Sequence, residues 1–204
     1  MRVLVEKLAR LDYLAVADAQ SPVEDALRLL LTRIRGQHDP DYIFLDCRAG
    51  IHDLGGLSLN DPAHVDVLVG RDSPQGRDGP ALTLEVLAAR RAPIDQRVLL
   101  VQTFAPLPLN GEASQWSQAR YRAAMYTACQ RTLYNKLEDP PAEDDDQAAH
   151  YPWPVAQRTN LGSPGNLADI TKETLLGQEL QNLRARLQAL AADEGRDVTG
   201  QDDE

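Results

Sequence analysis

The sequence predicts an α/β fold in three layers, with a mostly parallel sheet flanked by helices. Three observations predict it. Short apolar runs at residues 42–46, 65–69 and 97–104 are bounded by turn residues, as buried strands are. Stretches with apolar residues at helical spacing separate them, and alternating strands and helices of this length specify a parallel sheet with helices on its faces. Helix punctuation completes the pattern, most clearly at Ser21-Pro22-Val23-Glu24, where Ser21 caps, Pro22 takes the first helical position and Glu24 closes a capping box.

In chain order, Tyr13–Val16 is the better of two opening strand candidates, and Val3–Val5 reads equally as strand or helix. Leu27, Leu30, Leu31 and Ile34 give the first helix its apolar face, and Gly36 supplies a stop. The helix leads into the run Tyr42-Ile43-Phe44-Leu45, which ends on Asp46 and opens into a glycine-rich turn. A short helix is expected over 54–59, a strand over 65–69, a loop from Asp72 to Gly79 and a helix from Gly79 to Arg91. Val98-Leu99-Leu100-Val101 is the middle of the third strand. From Ser114 to Tyr134 a longer helix has Trp116, Tyr121, Met125, Cys129 and Leu133 available for burial. Residues 138–150 are rich in proline and acids and read as an exposed loop. The prolines make Tyr151–Val155 extended. A helix from Gly165 to Ala192 packs its leucines on the sheet, and the acidic tail 193–204 is expected to be disordered.

The 204 residues carry a formal charge of −10, but its location matters more than its size. Residues 138–146 and 193–204 hold 12 acids and one arginine, leaving 19 acids and 20 bases elsewhere. A nearly neutral body offers no broad electrostatic footprint for nucleic acid. The two cysteines, Cys47 and Cys129, lack metal-ligand or redox spacing, so reduced thiols are expected. No run has the length of a bilayer span and the first residues mix charges, so a cytoplasmic protein is expected.

An apolar strand, Asp46 and then Gly50 together resemble the Walker B and switch II segment of the ParA/MinD-like P-loop ATPases. The likeness extends through Gly55-Gly56 to the strand His64–Val69. It implies a P-loop NTPase-like domain over residues 1–192, incomplete at its amino end. It also implies ATP and Mg2+ as cofactors, with catalytic Asp46 orienting the metal through water and the Gly50 N–H approaching the γ-phosphate. Gln102 and Thr103 stand where such proteins present a base-reading side chain, and Pro154 through Arg158 resemble the late base-contacting loop. Residues 1–40 contain no glycine-rich lysine loop, which the triphosphate requires. In the family, the strand feeding that loop lies between the Walker B strand and its successor. Its place falls to Val3–Val5 or to a partner chain, or else the isolated product is poorly stable; a homodimer, or a partner chain supplying the missing strand and loop, is expected.

The residues leave plainer alternatives open. Asp46 also reads as a strand-terminal helix cap. Arg48 reads as a phosphate or partner contact, or as the mate of Asp53. His52 reads as a proton carrier or a solvated turn residue. Arg71 and Arg77 suit a partner surface or plain solvation, as do Arg120, Arg122 and Arg131 on the long helix. Two functions therefore compete: a nucleotide-dependent switch carrying Walker B without Walker A, and an interaction subunit that keeps the fold without hydrolysing ATP.

Overall fold

A computed structural model of the protein describes residues 22–47, 63–90, 97–106, 112–156 and 174–192. The chain divides into two compact units, Met1–Ala63 and His64–Glu204. Within them the described residues form an α/β structure of four helices and a three-stranded parallel sheet.

In the first unit, α1 spans Pro22–His38 and begins on the expected proline. It passes through Gly36 and stops two residues later. Asp39 adopts the left-handed region at φ 42°, and its N–H donates to the Arg35 carbonyl at 3.1 Å. That single bond satisfies one of the helix's orphan carbonyls, and Pro40 then prevents continuation. Leu31 is buried, whereas Leu30 of the expected apolar face is 53% exposed. The expected strand over 42–46 is not formed: residues 42–47 carry no regular secondary structure, and the Phe44 ring is 82% exposed. An apolar run becomes a strand only where a neighbour completes its hydrogen-bond ladder, and among the described residues no strand pairs with this one.

The second unit is built on β1 (Asp66–Gly70), β2 (Val98–Ala105) and β3 (Trp153–Ala156), parallel and in that spatial order. Val67 aligns with Leu99, Val69 with Val101, and Val101 with Trp153. The central strand is buried on both faces from Val98 to Gln102, as a parallel interior strand must be. Side chains of β1 alternate: Asp66 and Gly70 are buried, and Val67 and Val69 are exposed.

Helix α2 runs from Pro74 to Arg90, not from Gly79 as expected. Ser73 is its cap, since the Ser73 Oγ accepts the Gly76 N–H at 3.0 Å, and Pro74 fills the first position where its missing N–H is no loss. Pro80 lies inside the helix. Helix α3, Glu112–Arg131, packs against α2 and β2, with Tyr121, Met125 and Cys129 fully buried. Trp116, expected in the core, is 71% exposed. Helix α4, Thr174–Ala192, contacts β3.

The turns after α3 correct a further expectation. Residues 138–147 are largely exposed, but the segment ends on His150, which is fully buried. The His150 N–H donates to Tyr134 Oη at 3.1 Å, the ring Nδ1 lies 3.0 Å from the same oxygen, and Nε2 lies 3.1 Å from the Glu143 carbonyl. A carbonyl only accepts, so in the neutral ring Nε2 carries the hydrogen and Nδ1 accepts the Tyr134 O–H. Arg186 of α4 donates to the carbonyls of Asp146, Gln147 and Ala148, fixing the same turn from its other side. The expected elements over 3–5, 13–16 and 54–59 and the tail 193–204 lie outside the described residues.

Candidate functional site at the carboxyl ends of the strands

Open parallel sheets bind ligands beyond the carboxyl ends of their strands, where loops meet helix starts. In the second unit this end is made by Gly70–Ser73 after β1, Gln102–Ala105 at the end of β2, and the first turns of α2 and α3. Gly70 allows the close packing there. A Cβ at this position would lie 2.2 Å from Tyr121 Oη and 2.5 Å from the Gly76 carbonyl, so only glycine fits without displacement.

Asp72 is the polar centre of this end. Its side chain is 6% exposed and accepts hydrogen bonds from three directions. Arg77 Nη1 of α2 donates to Oδ1 at 2.5 Å. Arg120 of α3 donates Nε at 3.0 Å to Oδ1 and 3.1 Å to Oδ2, and its Nη2 also engages Oδ2. Ser117 bonds the same carboxylate. Burial alone would raise the Asp72 pKa, but the hydrogen bonds from Arg120, Ser117 and Arg77, with the Arg120 charge, prevail and hold the carboxyl below the usual carboxylate range.

The network continues into the sheet. Gln102 Nε2 donates to Ser117 Oγ at 3.3 Å, and Thr103 Oγ1 donates to the Gly70 carbonyl at 2.9 Å, tying the ends of β1 and β2. Beyond them the register of β2 and β3 shifts between Gln102 and Ala105. Phe104 in this bulge has φ 54° and is 64% exposed, a conformation rare for an aromatic residue. Trp116 and Arg120 are one helical turn apart on the solvent side of α3, with Arg120 63% exposed.

The structure thus brings three of the sequence-derived site residues together. Gln102 and Pro154 are register partners on β2 and β3, with Thr103 beside them. Gln102 is only 1% exposed and its amide is engaged by Ser117, whereas Thr103 is half-buried. Asp46 belongs to the first unit, where it is exposed. Arg48 and Gly50 lie outside the described residues. Sequence reasoning set Arg77 and Arg120 apart as separate surface charges and did not single out Asp72, the acid that joins them. Among the described residues no group of three or more His, Cys, Asp or Glu is placed to hold a metal ion, and no helix is long and apolar enough to cross a membrane.

No protein-family model, curated protein or solved structure matches the chain. The class defined by its described residues is an α/β protein with a parallel sheet and a polar, arginine-clamped carboxylate at the sheet's carboxyl end.

Proposed function

We propose that the chain is the carboxyl portion of a nucleotide-dependent switch of the ParA/MinD type, with a P-loop NTPase-like fold in which the phosphate-binding loop comes from elsewhere. The observation that carries this reading is the run of three parallel strands joined through helices, β1–α2–β2–α3–β3, downstream of an apolar segment ending on an exposed aspartate. An exposed Asp46 is available to a hydrated magnesium ion. The triphosphate itself needs successive backbone N–H groups and a lysine, which residues 1–40 do not offer in any glycine-rich loop. Another polypeptide supplying that loop and its strand completes the site. The exposed valines of β1 suit the neighbourhood of an added element, because both faces of parallel sheets are ordinarily covered.

A second reading, an interaction subunit without ATP hydrolysis, is favoured by the state of residues 42–47. They stand outside any strand, whereas a metal-orienting aspartate needs a rigid support. Titrating labelled ATP with Mg2+ against the chain and against Asp46→Ala separates the two. Saturable binding lost in the variant supports a working site. Absence of binding by either protein, with the fold intact by circular dichroism, overturns the idea that this chain binds nucleotide unaided and favours the interaction subunit. Adding a candidate partner that bears a glycine-rich lysine loop then tests complementation, and continued absence of binding rejects the switch.

A further inference from the structure

We draw no further inference here: the strongest candidate, the exposed Phe104, Trp116 and Arg120 at the carboxyl end of the sheet, carries nothing, because the Arg120 charge is already taken up by Asp72 and nothing in the structure shows what covers these side chains.

Discussion

Arg120 lies across both carboxylate oxygens of Asp72, 48 residues earlier in the chain, and so joins the loop after β1 to the middle of α3. Arg77 joins the same carboxylate to α2. Because these partners favour the ionised form, the folded pKa of Asp72 lies below its unfolded value. The stabilisation is therefore fully present above the unfolded carboxylate pKa and is lost as pH falls through the folded one. Unfolding free energies of the wild type and Asp72→Asn, measured by urea titration, are expected to differ by a constant amount at neutral pH. The gap narrows below about pH 4, near the ordinary aspartate pKa. A gap that stays constant down to pH 2 would show that the clamp does not favour the carboxylate.

Gly70 and Tyr121 form the second testable pair. The Tyr121 hydroxyl is fully buried and has no hydrogen-bond partner among the described residues, and burial pushes its pKa up to about 12. A buried, unpaired hydroxyl costs about 1–3 kcal/mol. Tyr121→Phe is therefore expected to leave stability unchanged or raise it by about 1 kcal/mol. Gly70→Ala drives a methyl into that hydroxyl and into the Gly76 carbonyl, so a loss of about 1–3 kcal/mol is expected. In a double-mutant cycle Tyr121→Phe should recover part of that loss, since it removes one of the two clashes. Strict additivity would mean that the tyrosine oxygen is not what excludes a side chain at Gly70.

Tyr134 Oη is one anchor of the turn around His150, beside the Glu143 carbonyl and Arg186. Tyr134 Oη accepts the His150 N–H and faces the ring Nδ1, while burial holds the Tyr134 hydroxyl well above its ordinary pKa and so protonated. Tyr134→Phe preserves the ring's packing against His150 but leaves two buried polar groups unpaired. A destabilisation of about 1–3 kcal/mol is expected, with faster amide exchange at His150 than in the wild type. Unchanged stability and exchange would show that the remaining contacts, the Glu143 and Arg186 hydrogen bonds and the edge-on Tyr126 ring 4.7 Å from the imidazole, hold the turn without the tyrosine oxygen.

Much of this architecture was legible because it is local. Serine followed by proline precedes both helices in the sequence, and α1 and α2 each begin on that proline, yet only Ser21-Pro22 was read as a helix start. At Ser73-Pro74 the nearby Gly76, Gly79 and Pro80 pointed to a loop. Propensity gave way there because Gly76 supplies the capped N–H and fits against the Arg71 carbonyl, where a Cβ would lie 2.4 Å away. The β2 strand was readable from its continuous apolar middle, which a doubly covered strand requires. The run 42–46 is likewise apolar but pairs with no strand among the described residues, and composition cannot reveal whether a neighbour is present. The clamp on Asp72 was hidden for another reason. It depends on α2 and α3 converging on one loop, a tertiary fact carried by no motif. Nor did the acidity of 138–150 disclose that His150 would be buried and paired with Tyr134.

Phe104 offers the last test, because its conformation and its exposure point to opposite substitutions. At φ 54° the Cβ of any L residue meets its own backbone, at a cost of about 1–2 kcal/mol that glycine avoids. Glycine in turn loses about 0.5–1 kcal/mol through the freedom of its unfolded chain. With its ring 64% exposed, Phe104 forfeits little burial when truncated, so Phe104→Gly is expected to be neutral or stabilising by up to about 1 kcal/mol. Phe104→Val should go the other way and destabilise by about 1 kcal/mol or more, because a β-branched residue tolerates the left-handed region least. Urea midpoints of the two variants decide the matter. If glycine destabilises and valine does not, then the bulge between Gln102 and Ala105 does not hold position 104 in this conformation, and the outward presentation of the ring at the end of β2 is not fixed by the backbone.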